Sequence, residues 1–187
     1  MSKLYESIDD RLRAFLLEQP VFFVATAPSG PGGHVNVSPK GGSGCLAVLD
    51  EHRVAYLDYT GSGAETIAHL RENGRITLMA CAFHGPPKIV RLHGHGRAVL
   101  PGEDGFAELV AAFPGEPARG LRSVIEVAVE RVSDSCGYQV PLMTYDGDRD
   151  LLVRWADRKS DEDLAEYRST RNGHSIDGLP AFGAGQR

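Results

Sequence analysis

Short runs of apolar residues, many of them alternating with polar ones, dominate the first two thirds of the chain. A period of two places successive side chains on opposite faces of a strand, so these runs predict strands. They cover residues 21–26, 34–37, 46–49, 53–59, 76–83, 89–100 and 123–132. The run at 21–26 is almost wholly apolar, which predicts burial on both faces. Only one short helical pattern interrupts the first six runs, so the order favours an antiparallel barrel, closed by the last strand, over a doubly wound sheet.

The segment at residues 54–81 predicts a strand, a glycine-rich turn, a short helix and another strand. Ser62 and Glu65 have the spacing of a capping box, and Gly74 stands where a left-handed residue would end the helix. A glycine-rich turn before a helix also presents unpaired N–H groups, which suit a phosphate. Two interpretations therefore stay open: Ser62 and Glu65 cap each other, or the turn binds an anion.

Helical patterns also occur near the N-terminus, between the sixth and seventh strand runs, and in the tail. They cover residues 4–19, 105–113 and 151–167. The segment at 173–182 has too few regular signals for an element, but we expect it to pack, because the chain has few aromatic residues and the tail's large apolar side chains need cover. Those side chains are Trp155, Ile176, Leu179 and Phe182.

Composition limits the class of protein and its partners. A chain of 187 residues with 42% hydrophobic and 24% charged residues is typical of one globular domain. The net charge of -5 does not favour nucleic acid, and no apolar run is long enough to cross a membrane. The N-terminus does not resemble a secretory signal, and three widely spaced cysteines indicate reduced thiols. We therefore expect a cytoplasmic protein that binds a small molecule.

Candidate chemistry is concentrated at strand ends, since common nucleophile, metalloprotease and phosphate-loop motifs are missing from the sequence. Lys40 and the Tyr59–Gly61 segment offer a cation, a ring and a hydroxyl. Arg91 lies among apolar neighbours in a strand and should have an anionic partner, which could be a ligand or a carboxylate such as Asp58. His93 and His95 fall on one strand face, but without further ligands they do not predict a metal site.

Three stretches of this sequence carry a family resemblance: SPKG at residues 38–41, YLDYTGSGAETIAHLRENGRITLM at 56–79 and RLHGHGRA at 91–98. Their order resembles the pyridoxamine 5'-phosphate oxidase-related flavoproteins of the FMN-binding split-barrel fold, over residues 20–132. The resemblance implies a mainly β fold with flanking helices, a six-stranded antiparallel barrel that forms a homodimer, and FMN in clefts between the subunits. The domain would span residues 1–187, with residues 133–187 packing on the barrel or the partner subunit.

The resemblance also implies which residues hold the cofactor. Tyr59 and Thr60 match a pair beside the flavin, Lys40 matches a cationic position near the phosphate, and Thr60 to Ser62 with Thr66 would line the cofactor's phosphate-bearing tail. The predicted cofactor-binding residues are Asn36, Ser38, Lys40, Tyr59, Thr60, Gly61, Ser62, Thr66 and Arg91.

Departures from the family pattern bear on the reaction. Ala64 and Thr66 occupy the positions of the serine and lysine that hold phosphate in the authentic oxidases, and Val35 replaces an arginine. The substrate segment R-L-x-P is also missing from this sequence. We therefore expect an FMN-dependent oxidoreductase whose substrate is not pyridoxamine phosphate. The alternatives are a carrier of flavin, deazaflavin or haem without turnover, and a structural dimer that has lost its ligand.

Overall fold

The computed structural model describes residues 2–182, so residue 1 and the end of the predicted tail, residues 183–187, lie outside the described range. Within that range the chain forms eight strands and five helices. The strands are β1 (Lys3–Tyr5), β2 (Val21–Thr26), β3 (Asn36–Gly41), β4 (Leu46–Asp50), β5 (Arg53–Tyr59), β6 (Arg75–Cys81), β7 (Ile89–Val99) and β8 (Leu121–Ser135). The helices are α1 (Asp10–Glu18), α2 (Glu65–Asn73), α3 (Phe106–Val110), α4 (Leu151–Asp157) and α5 (Asp161–Arg171).

All strand pairs of this sheet are antiparallel, in the order β3-β2-β6-β7-β8-β5-β4, and β1 adds to β8. The predicted fold class, a mainly β split barrel with flanking helices, is confirmed. Its strand count is eight in the described chain, where the resemblance implied six. The last strand does not close the barrel as predicted, because the end strands β3 and β4 are not paired among the described residues.

The long strand β8 organises the sheet. One of its edges pairs with β7 over residues 124–135, while the other edge pairs first with β5 and then with β1. Its length, 15 residues, lets it join both halves of the curled sheet. The sequence pattern predicted only its middle, residues 123–132, and missed β1 because three residues are too few to show a period.

The main core lies inside the curl of the sheet, where α1 and α2 cover it. Phe22 and Val24 of β2 point into this core, whereas the alternate residues Val21, Phe23 and Ala25 are only half-buried. The predicted burial of this strand on both faces is therefore wrong. The run is apolar because its outer face is also partly covered, not because a second layer encloses it.

Helix boundaries differ from the predicted ones for local reasons. Helix α1 begins after Asp9, whose side chain accepts a hydrogen bond from the Leu12 N–H at 2.8 Å. The predicted helix at 151–167 is divided in two, because Ser160 and Asp163 form a capping box that starts α5. Capping by short polar side chains therefore sets both helix starts.

The tail packs back on the barrel over part of its length. Phe182 is 8% exposed, Leu179 is half-buried against the core, and the Trp155 ring meets the Tyr167 ring edge-on at 5.1 Å. Ile176, by contrast, is 71% exposed, so the expectation that all four large apolar residues are covered fails at this position. None of the helices among residues 2–182 is long and apolar enough to cross a membrane.

Candidate functional site

A cleft of about 350 Å³ opens between β3, the end of β5 and the start of α2. Strand β3 forms one end of the curled sheet, and the segment that joins β5 to α2 lines the cleft together with it. The lining residues are Ser38, Pro39, Lys40, Gly41, Leu57, Tyr59, Gly61, Ser62, Gly63, Glu65, Thr66, Arg122 and Leu152.

The floor of this cleft is a buried group of charges. Asp58, 2% exposed, accepts from Lys40 Nζ at 3.1 Å and from Arg122 Nε at 2.7 Å. Ser123 Oγ donates to the same carboxylate at 3.1 Å. Lys40 also lies over the ring of the buried Tyr56, 5.7 Å from its centroid. Two cations therefore share one carboxylate, and the floor keeps an excess positive charge.

The pKa values of this group follow from burial and from the unequal number of charges. Burial disfavours the charged form of Asp58, but the charges of Arg122 and Lys40 outweigh it, and the pKa of Asp58 falls below its ordinary value. Burial, followed by the like charge of Arg122, lowers the pKa of the nearby Arg168 guanidinium. The positive charges of Lys40, Arg122 and Arg168 thus lie close together, which favours the binding of an anion.

One wall of the cleft carries an ordered set of polar side chains. Asn36 donates from Nδ2 to Thr26 Oγ1 at 3.2 Å and to Thr66 Oγ1 at 3.1 Å, and its Oδ1 accepts from Ser38 Oγ at 3.1 Å. Behind them Thr26 Oγ1 lies 2.9 Å from Nδ1 of the buried His69. These bonds fix the hydroxyl groups of Ser38 and Thr66 at the cleft surface.

The opposite wall is the turn between β5 and α2. Helix α2 has Ala64 at its N-cap and no side-chain capping bond within the described chain, so the predicted capping box is wrong. The Glu65 carboxylate lies instead against Gly63, where a Cβ atom would meet it. The predicted end of the helix is confirmed, because Gly74 has φ 72° and its N–H donates to the Leu70 carbonyl at 3.0 Å.

Of the nine predicted cofactor-binding residues, six line this cleft: Ser38, Lys40, Tyr59, Gly61, Ser62 and Thr66. Asn36 stands behind them through its bond to Thr66. Thr60 is 1% exposed and points away from the cleft, donating from Oγ1 to the Gly120 carbonyl at 2.9 Å. The structure thus gathers the predicted set on one side of the barrel, and a cofactor role stays a prediction for each residue.

Arg91 is the exception. It lies on β7, opposite Met79 and Ser133, and Nη1 donates to Ser135 Oγ at 3.1 Å. Asp58, suggested as its carboxylate partner, is held by Lys40 and Arg122 instead. Arg91 is only half-buried, so the expected need for an anionic partner does not arise. Within residues 2–182, the fold does not bring Arg91 to the cleft.

Sequence reasoning missed two residues that the cleft depends on. Arg122 lies on its floor, and Asn172, from the end of α5, accepts from Arg122 Nη1 at 2.9 Å. A signal for Arg122 existed, because a lone arginine at the edge of an apolar strand requires an anionic partner and Asp58 stands in another such strand. Asn172 gave no signal, since its role depends on contacts across the fold.

The two histidines of β7 share a strand face, as predicted, and border an open hollow on the outer side of the sheet. His95 Nδ1 lies 2.9 Å from the Glu130 carboxylate. Across residues 2–182, no group of three or more His, Cys, Asp or Glu side chains is arranged to hold a metal ion.

Sequence comparison relates the chain to a family model and to a fungal protein. Residues 8–136 match the family model described as pyridoxamine 5'-phosphate oxidase. The pyridoxamine 5'-phosphate oxidase family protein ustO of Aspergillus flavus is 40% identical over 201 residues, a match that covers 100% of this chain and 80% of the relative. The family model therefore ends before α4, whereas the match to the fungal relative continues through the tail.

Structural comparison agrees with the fold. A putative 5-nitroimidazole antibiotic resistance protein from Bacteroides thetaiotaomicron superposes with a TM-score of 0.52 at 12% identity, covering 72% of this chain and 87% of that one. An FMN-binding protein from Syntrophomonas wolfei gives a TM-score of 0.48 at 14% identity, covering 64% and 80% of the two chains. At such identities the first match supports the barrel architecture alone, and the second adds no argument.

Proposed function

Because the chain belongs to the pyridoxamine 5'-phosphate oxidase family, we propose that it is an FMN-dependent oxidoreductase whose cleft binds the phosphate end of the cofactor. The observation that carries this proposal is the cleft floor, where Lys40 and Arg122 share the single carboxylate of Asp58. A phosphate would balance the remaining positive charge through charge-assisted hydrogen bonds.

The donors present fit such a group. Lys40 is 23% exposed, so its ammonium can reach a ligand without leaving Asp58. Ser38, Ser62 and Thr66 add hydroxyl groups along the walls, where a phosphate and a polyol chain would find donors. Glu65 lies on the rim and would keep an anion away from the axis of α2. Bound FMN would supply the electron transfer, and the protein would supply position, charge and access.

The proposed reaction does not use pyridoxamine phosphate. By the family resemblance, Ala64 and Thr66 occupy the positions of the serine and lysine that hold phosphate in the authentic oxidases, and Val35 replaces an arginine. Here Ala64 is buried at 2% exposure, Thr66 carries only a hydroxyl, and Val35 is 70% exposed. The loss of these family residues leaves the cofactor phosphate to Lys40, Arg122 and the hydroxyl groups of the cleft. The substrate segment R-L-x-P of the authentic oxidases is also missing from this sequence, which supports a substrate other than pyridoxamine phosphate.

We also propose that two copies form a homodimer, with each cleft completed by the partner. Large apolar side chains remain exposed just before and on β3, and also in the segment before and within α4. They include Val35, Val37, Leu142, Met143, Tyr145, Leu151, Leu152 and Val153. Exposed apolar surface of this extent is typical of protein interfaces.

The cofactor proposal predicts a specific effect of Lys40→Gln. The full chain would be titrated with FMN, and binding would be followed by flavin fluorescence quenching and by the shift of the visible spectrum. Loss of the Lys40 charge should weaken FMN binding by about tenfold or more, since a charge-assisted hydrogen bond contributes about 1.5–3 kcal/mol. Arg11→Gln, a change at an exposed cation of α1 outside the cleft, should bind like wild type.

Two results would contradict this proposal. A wild-type chain that neither quenches nor shifts FMN would exclude flavin binding, and a Soret band after expression with haem would then favour a haem carrier using His93 or His95. If wild type and Lys40→Gln bound FMN with equal affinity, the Lys40 charge on the cleft floor would have no role in FMN binding. If the variant left every property unchanged and no ligand copurified, the structural-dimer alternative would stand.

A further inference from the structure

The C-terminal tail holds the turn that forms one wall of the cleft. On α5, Arg168 donates from Nε to Thr60 Oγ1 at 2.9 Å and from Nη2 to the Leu121 carbonyl at 3.2 Å. Asn172, directly after α5 and 0% exposed, donates from Nδ2 to the Gly61 carbonyl at 3.0 Å. The tail therefore contacts two consecutive residues of the wall through hydrogen bonds.

The tail also holds the floor. Arg122 donates from Nη1 to Asn172 Oδ1 at 2.9 Å while its Nε is bonded to Asp58. The ring centroid of Phe182 lies 5.7 Å from the Arg122 guanidinium, and the Phe182 N–H donates to the Asn172 carbonyl at 3.2 Å. Arg122 is thus fixed by the barrel on one side and by the tail on the other.

The barrel itself holds the first residue of the turn, since the Thr60 N–H and Oγ1 both donate to the Gly120 carbonyl, at 2.8 and 2.9 Å. Gly61 and Gly63 have no side chains and a wide choice of backbone conformations, so a segment that contains both loses much entropy when it is ordered. The helix that follows has no side-chain cap within residues 2–182. The bonds from Arg168 and Asn172 therefore add to the Thr60–Gly120 bonds in selecting one conformation of the turn in advance of any ligand.

We infer that Arg168 and Asn172 are positioning residues of the cleft, which set the geometry of the turn and of Arg122 for the phosphate end of the ligand. This inference rests on the proposed FMN function. Both residues lie beyond residue 136, where the match to the family model ends. The site would therefore include residues of a tail that the family model does not cover.

Riboflavin, which is FMN without the phosphate, separates positioning from general stability. Any loss of folded protein would weaken both flavins equally, whereas a displaced turn and Arg122 would weaken FMN more. In Asn172→Ala and in Arg168→Ala, the ratio of FMN to riboflavin affinity should fall by about tenfold, because one lost bond to a charged group costs about 1.5–3 kcal/mol. Arg171→Ala, at an exposed arginine beside Asn172, should keep the wild-type ratio.

The titrations would use the full chain, with far-UV circular dichroism as the check on folding. If Asn172→Ala does not fold, Arg168→Ala decides alone, since Arg168 is only half-buried. A wild-type chain that binds neither flavin would overturn the proposed function and this inference together. A wild-type chain that binds FMN, with variants that keep its affinity ratio or weaken both flavins equally, would overturn the positioning role and leave the proposed function standing.

Discussion

Asp58 shows how one residue can serve both stability and a site. It is a buried carboxylate near the end of the apolar strand β5, and it stays charged because Arg122 and Lys40 contact it. A buried charge without partners would cost several kcal/mol, so the three side chains require one another. The same grouping leaves one positive charge in excess at the surface of the cleft.

Replacing this carboxylate should be costly. Asp58→Asn leaves Lys40 and Arg122 without a counterion, and breaking a buried pair lowers the free energy of unfolding by about 3–5 kcal/mol. Urea denaturation at neutral pH would measure it. Asp50→Asn, which breaks a partly exposed pair with Arg53, should cost about 1 kcal/mol or less. Similar losses in the two variants would show that the Asp58 group does not stabilise the fold.

The difference in unfolding free energy between wild type and Asp58→Asn should depend on pH in one direction. The pKa of Asp58 in the folded protein lies below 3.8, the value expected for the unfolded chain. As the pH falls, the unfolded chain therefore binds the proton first, and the stability contributed by the carboxylate declines from about pH 4 downward. The advantage of wild type over Asp58→Asn should be constant above this range and shrink below it.

At the scale of single elements, helix α2 has a well-marked C-terminal end at Gly74 but no side-chain cap at its start among the described residues. Its first turn has no side-chain cap in the described chain, whereas Gly74 ends it with φ 72° and leads directly into β6. A Cβ atom at this position would also lie 3.2 Å from the His95 ring. Gly74 therefore fixes the length of the helix and the direction of the following strand.

Gly74→Ala should lower the free energy of unfolding by about 1–2 kcal/mol, because alanine is strained at positive φ. Thermal or urea unfolding would measure it. Gly30→Ala is the matched control, since Gly30 has ordinary φ and open space around its Cβ position, and its effect should stay within about 0.5 kcal/mol of zero. Equal effects at the two glycines would contradict the role of the left-handed residue.

At the scale of the whole molecule, the outer face of the sheet at β3 stands out. The strand forms one end of the sheet, its inward residues Asn36, Ser38 and Lys40 serve the cleft, and its outward residue Val37 is 61% exposed. Pro39 is tolerated there because an end strand need not donate to a further neighbour. A partner that covered this face would lie directly beside the cleft.

The proposed homodimer predicts that a charge on this face separates the subunits. Val37→Lys should raise the dimer dissociation constant by about tenfold or more, because the buried charge would have no partner. Light scattering or sedimentation over a dilution series would show it. Leu4→Lys, at a similarly exposed residue of β1, should leave the dimer dissociation constant unchanged. A wild-type chain that is a monomer at all concentrations would contradict the dimer.

The sequence by itself determined the elements and their class. Alternating runs gave seven of the eight strands of the described chain, Gly74 marked the end of α2, and the family resemblance identified a split barrel with most of one cleft. These features are local, since a period of two or a left-handed glycine is determined within a few residues. The order of SPKG and the Tyr59–Thr60 pair then located the cleft, because strand ends in a known fold have fixed neighbours.

Only the tertiary structure decided which charges meet and what holds the turn. Ser62 and Glu65 have the spacing of a capping box, yet Ala64 is the N-cap of α2. Bonds from Arg168 and Asn172, more than a hundred residues later, help to hold the turn instead. From the sequence, Asp58 could pair with Arg91, which lies within one apolar strand run, or with Arg122, which directly precedes another. Strand register determines that the partner is Arg122. Strand β8 pairs with β5 so that Asp58 lies opposite Ser123, the residue that follows Arg122. Such long-range choices depend on packing, which a pattern of neighbouring residues does not contain.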